Sequence, residues 1–101
     1  SNNTGNPATF EVGYNYPNPF NGNTRINYTL SKQANIQIRI YDLAGQEIFA
    51  GTKNNLQPGR YQFSWNGLDN EGQSVSTGIY FLALSGEDDI RQIVRKLVYL
   101  K

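Results

Sequence analysis

The chain contains no cysteine and no histidine. Without cysteine it forms no disulfide, offers no thiolate nucleophile and builds no Cys/His zinc site; without histidine it lacks the commonest general base. Freedom from cysteine is compatible with secretion. Charge of either sign is also scarce: nine Lys and Arg stand against eight Asp and Glu, a formal net charge of +1. No global field of that size recruits nucleic acid, acidic lipid or a charged substrate, so any partner must be recognised locally. The longest purely apolar run, "IYFLAL" at 79–84, is far short of the ~20 residues of a membrane-spanning helix. No basic and apolar signal peptide opens the chain, as would hold for a fragment of a longer precursor.

Aromatic residues and glycine are plentiful instead. Seven Tyr, five Phe, one Trp and ten Gly in 101 residues favour an all-β domain with tight turns. This length suits one domain, able to bury roughly 60–70% of its unfolded surface around a single core.

Residues 1–9 begin small, polar and aperiodic ("SNNTGNPA") and are expected to form a linker from an upstream domain, leaving 10–101 as the folded unit. In "TFEVGYNYP", Phe10, Val12, Tyr14 and Tyr16 fall on one side, predicting a short strand that runs into a proline loop. "TRINYTL" sets Ile26, Tyr28 and Leu30 against Arg25, Asn27 and Thr29, and "NIQIRIYDL" sets Ile36, Ile38 and Ile40 against Gln37, Arg39 and Tyr41. Both alternate as strands with one wet face, and "SKQA" between them reads as a hairpin turn. After a turn at Gly45 a brief strand is expected over 47–50, then a polar loop, "TKNNLQPG". "RYQFSWNG" aligns Tyr61, Phe63 and Trp65 before Asn66 and Gly67 break the run.

"STGIYFLALSG" is apolar on both parities, which predicts a central strand covered on both faces. The last segment, "DDIRQIVRKLVYLK", fits helical spacing through Ile90, Ile93, Val94, Leu97 and Val98. Its apolar set is dominated by Ile and Val, however, and it follows a strand across the short loop "SGEDD". We therefore predict a strand here, bulged near Arg95 and Lys96. Seven short strands separated by regular turns predict an all-β fold, an immunoglobulin-like antiparallel β-sandwich without a disulfide.

Three stretches in order, "YPNPFN" at 16–21, "IYDLAGQEI" at 40–48 and "WNGLDNEGQSVSTGIYFLAL" at 65–84, resemble the C-terminal sorting domain of the type IX secretion system. The closing "RKLVYLK" at 95–101 is similar to that family's terminal motif, which commonly ends in a basic residue. The segment from the tryptophan to "GIYF" also resembles the immunoglobulin-like domain of flagellar hook-capping proteins. The resemblance to the sorting family implies a non-catalytic address on a larger secreted protein. An upstream cargo domain in the same chain would do the chemistry, and the translocon and a sortase-like protease would be the partners. Such a domain passes through the periplasm to the outer-membrane surface or the exterior, and is cleaved off or anchors its cargo there.

An address is read by contact. The candidate recognition residues are Val94, Arg95, Lys96, Leu97, Val98, Tyr99, Leu100 and Lys101, where a partner could pair with an exposed strand edge; the same apolar residues could equally close the sandwich. Pro17, Asn18, Pro19 and Phe20 are expected to be structural. Each proline fixes φ and removes a donor, which makes a stiff crossover, and Phe20 can drop into one end of the core. Cleavage is expected in the linker.

No catalytic, cofactor or metal residues are assigned. "LDNEG" and "GEDD" cluster oxygens without the spacing of a twelve-residue calcium loop, and read as turns capped by side chains. The rival function is a structural or carbohydrate-binding accessory domain, in which aromatic rings stack on sugars. Tyr61, Phe63 and Trp65 should face inward, leaving Tyr14, Tyr16, Phe20 and Tyr41 as the better-exposed candidates.

Overall fold

The computed structural model describes residues 10–86 and 92–101. The expected linker 1–9 and the acidic stretch 87–91 lie outside the described residues. Seven strands form: β1 (Phe10–Val12), β2 (Thr24–Leu30), β3 (Ala34–Asp42), β4 (Glu47–Leu56), β5 (Gly59–Trp65), β6 (Gly78–Gly86) and β7 (Ile93–Tyr99). They pair antiparallel in two sheets, one ordered β1-β2-β5 and the other β4-β3-β6-β7. This is the immunoglobulin-like sandwich expected from the alternation.

Alternation places the core. Ile26, Tyr28 and Leu30 on β2 face Ile36, Ile38 and Ile40 on β3 and Tyr80, Leu82 and Leu84 on β6, all buried. Burial of one such aliphatic side chain contributes about 1.5–3 kcal/mol, so these positions dominate stability. At one end Phe20, Trp65, Tyr80 and Tyr99 close the sandwich as a cluster of rings, with centroids of neighbouring pairs 4.9–6.2 Å apart. Trp65 Nε1 donates to the Leu68 carbonyl at 2.8 Å, which satisfies the one polar atom of the buried indole.

Five expectations are corrected. The first strand stops at Val12, and Tyr14 and Tyr16 are 80% and 75% exposed. "SKQA" is no hairpin, because β2 pairs with β1 and β5 whereas β3 pairs with β4 and β6; the chain here arches from one sheet to the other. β4 does not end at Ala50 but runs to Leu56, through residues read as a loop. It is an edge strand, so its polar residues stay in water while β3 supplies its hydrogen bonds. β6 is central, but its two faces are not equally covered: Tyr80, Leu82 and Leu84 are buried in the core, whereas on the outer face the small Ala83 is buried and Ile79 and Phe81 are only half-buried. β7 is a strand without a bulge, its register to β6 unbroken from Leu84↔Ile93 to Gly78↔Tyr99.

Candidate recognition site

The two sequence features with the strongest character, the proline loop and the terminal strand, meet in the fold. Tyr16 begins the loop by exchanging two backbone hydrogen bonds with Arg25 of β2: Tyr16 N donates to Arg25 O at 2.8 Å and Arg25 N to Tyr16 O at 3.0 Å. Four residues later the chain pairs with the other sheet. Phe20 N donates to Val98 O at 2.9 Å and Leu100 N donates to Phe20 O at 2.8 Å.

Between these anchors the prolines have no N–H to offer, and the side chain of Asn18 supplies the missing pair. Its Nδ2 donates to Lys96 O at 3.1 Å, and its Oδ1 accepts from Val98 N at 2.9 Å. Both X-Pro bonds, Tyr16–Pro17 and Asn18–Pro19, are cis. A buried polar pair holds the near end: Asn15 Nδ2 donates to Thr24 Oγ1 at 3.3 Å, and the Thr24 hydroxyl donates to Pro17 O at 2.8 Å. Phe20, 2% exposed, stacks on Tyr99 at 4.9 Å.

The outer edge of β7 is therefore occupied from Lys96 to Leu100 by the chain's own loop. A partner strand could not add to that stretch without displacing Asn18 and Phe20, so recognition by strand pairing there is closed. Side chains are what this strand can still present.

The eight candidate residues divide by parity. Leu97 and Tyr99 point inward and are buried; Arg95 also points inward, at the open flank of the sandwich. All three nitrogens of the Arg95 guanidinium donate within the domain. Nε donates to Gly13 O at 3.0 Å, Nη2 to Val12 O at 2.8 Å and Nη1 to Val94 O at 3.2 Å, while its plane lies 4.4 Å over the Tyr14 ring. It ties β7 to the end of β1. Val94, Lys96, Val98, Leu100 and Lys101 remain accessible, Val94 and Leu100 each about half exposed. Leu100 and Lys101, with Pro17, Pro19, Phe20 and Asn21, line an open surface cavity of about 440 Å³.

The aromatic candidates for sugar stacking also sort themselves. Trp65 and Phe20 are core residues, Tyr61 and Phe63 are half-buried on the inner side of β5, and Tyr41 is half-buried on β3. Only Tyr14 and Tyr16 among the named rings stand mostly in solvent, and Tyr14 already carries Arg95 on one face.

Three of the described carboxylates act on the backbone or on a neighbouring charge. Asp42 Oδ1 accepts from Gln46 N at 2.8 Å, Asp69 Oδ1 accepts from Glu71 N and Gln73 N at 2.9 Å each, and Glu47 pairs with Arg39 at 3.5 Å. The "LDNEG" stretch is a side-chain-capped turn; most of "GEDD" lies outside the described residues. No group of three or more potential metal ligands occurs among the described residues, and no helix there is long and apolar enough to cross a membrane.

This architecture defines an immunoglobulin-like sandwich whose terminal strand is clasped by its own N-terminal loop. The FlgD Ig-like domain model matches residues 15–89, and the chain belongs to that family; β7 lies beyond the matched span. A search of curated proteins finds no match.

Among solved structures, dimeric latent PorU from Porphyromonas gingivalis is 15% identical with a TM-score of 0.73, over 94% of this chain and 10% of that one. FlgD from Xanthomonas campestris, a protein described in connection with hook capping in flagellar assembly, is 16% identical with a TM-score of 0.61, over 91% and 66%. PorZ, described as an essential surface component of the type IX secretion system of P. gingivalis, is 17% identical with a TM-score of 0.56, over 91% and 11%. These likenesses establish the shared fold. This chain spans about a tenth of the length of PorU and PorZ.

Proposed function

We propose that this domain is a non-catalytic sorting module that directs a larger secreted protein across the outer membrane through the type IX secretion system, and then is cleaved off or holds its cargo at the cell surface. The observation that carries this reading is the clasp between "YPNPFN" and "RKLVYLK". These two of the stretches that resemble the sorting family lie 74 residues apart, from Asn21 to Arg95, yet they form one hydrogen-bonded unit at one flank of the fold. The occurrence of this sandwich within a PorZ structure supports the same association. In this reading the cargo does the chemistry, the translocon reads the accessible side chains of the terminal strand, and a sortase-like protease cuts in the linker.

Removing Leu97 to Lys101 would be a poor test. It takes Leu97 and Tyr99 out of the core, so a loss of export could not be separated from a loss of fold. Transfer is cleaner: a periplasmic reporter carrying residues 1–101 at its C-terminus is expected to reach the surface or medium of a bacterium with this secretion system. A folded fusion that stays in the periplasm overturns the proposal.

A further inference from the structure

The two outer faces of the sandwich differ in chemistry. The three-stranded sheet presents Glu11, Arg25, Asn27, Thr29, Arg60 and Gln62 to solvent, with Gln62 Nε2 donating to Asn27 Oδ1 at 3.1 Å. That is the ordinary polar exterior of such a sheet. The four-stranded sheet presents an apolar field instead. Its register sets Val98 beside Ile79, and forms the rows Lys96, Phe81, Tyr41 and Val94, Ala83, Arg39 across β7, β6 and β3. Val94 is 48% exposed, and Ile79, Phe81, Val98 and Tyr41 are half-buried, with no third layer above them among the described residues. A contiguous apolar patch rimmed by charge marks an interaction surface.

The charges on this face say what it lacks. Arg39 has its carboxylate, Glu47, one strand away at 3.5 Å. Lys96 has no carboxylate partner among the described residues: its cross-strand neighbour is Phe81, and beyond that stands Tyr41. A partner that covers the field must bring a carboxylate to Lys96, because a cation enclosed against apolar surface without a counter-charge is strongly disfavoured.

We propose that the outer face of β7, β6 and β3, centred on Phe81 and Lys96, docks an apolar protein surface of the export machinery that carries a carboxylate opposite Lys96. The proposal rests on the sorting reading above and assigns it a surface. Val94, Lys96 and Val98 recognise the partner through this face, and Arg95, Leu97 and Tyr99 hold the strand in place from the other.

The reporter fusion tests it with the charge and the apolar field altered separately. Lys96→Glu is expected to lower the exported fraction about tenfold or more, and Val94→Thr with Val98→Thr, which keeps β-branching, is expected to lower it as well. Arg60→Glu, an equal charge reversal on the polar face, should export like the parent. Limited proteolysis of the fusions checks that each remains folded.

Export of the parent and normal export of both face variants overturns this inference and leaves the sorting reading standing; failure of the parent fusion itself overturns both. A second copy is the competing occupant. Sedimentation of the parent at tens of micromolar is expected to show a monomer, and a dimer abolished by Lys96→Glu would overturn the proposal in favour of self-association.

Discussion

Asn18 and Asn70 perform the same task at opposite edges of the four-stranded sheet. On β7, Asn18 donates to Lys96 O and accepts from Val98 N. On β4, Asn70 Nδ2 donates to Ala50 O at 3.0 Å and its Oδ1 accepts from Ala50 N at 2.7 Å. Each carboxamide presents one donor and one acceptor in the spacing of a peptide group, and so ends the ladder where another strand could have continued it.

Replacing either asparagine with alanine should therefore do two things. Two exposed hydrogen bonds are lost, which costs about 1–2 kcal/mol in denaturant titrations. The edge is also uncovered, so Asn18→Ala and Asn70→Ala together should raise concentration-dependent association in light scattering well above either single change. A double variant that is destabilised but remains monodisperse would show that the carboxamides support the loops without guarding the edges.

How far this was legible in the sequence depends on how local each signal is. β2, β3 and β5 alternate cleanly because each has one wet and one dry face, and their inward residues were readable from spacing alone. The polar half of β4 carried no such signal: an edge strand can be solvated on both sides, and "TKNN" looks the same as a strand or as a loop. "SKQA" failed for a different reason, since three turn-forming residues serve a hairpin or an arch equally well, and only the distant partners of β2 and β3 decide.

The site was less readable than the fold. "YPNP" announced a donor-poor crossover, but that Asn18 would supply the missing groups to a strand 78 residues away is a tertiary fact. The inward placement of Arg95 was hidden because a cation there breaks the apolar parity of β7, and it was this break that suggested a bulge. β6 did signal an apolar outer face through its two apolar parities. The pattern could not say that the second face would meet no third layer among the described residues.

Gly67 sits tightly against the ring of Tyr99. Gly67 has φ +77°, and a Cβ added to it would lie 2.7 Å from Tyr99 Cζ and 2.9 Å from its hydroxyl oxygen. Gly67→Ala thus meets two costs at once: about 1–2 kcal/mol for the left-handed backbone, and displacement of a ring that stacks on Phe20 and packs on Trp65. Its melting temperature should fall clearly more than that of Gly72→Ala, where φ is +82° but open space surrounds the added carbon. Equal losses at the two positions would mean that the ring yields freely and that backbone conformation alone sets the cost.

Tyr28 gives the fold an alkaline limit. Its ring packs edge-on to Phe10 and stacks on Tyr61, with centroids 6.4 and 5.6 Å away. Burial, reinforced by the neighbouring Tyr61, pushes its phenol above the ordinary value of 10.0. Below about pH 10 the group is protonated in both the folded and the unfolded chain, so it adds no pH dependence there. Between the unfolded value and the higher folded one, only the unfolded chain releases the proton, and stability falls as pH rises. Tyr28→Phe keeps the ring and removes the proton. Melting curves of the parent should therefore drop more steeply than those of Tyr28→Phe as pH is raised past about 10, while the two run parallel near neutrality. Parallel curves throughout would mean that the Tyr28 phenol ionises as easily folded as unfolded, and that the alkaline loss originates elsewhere.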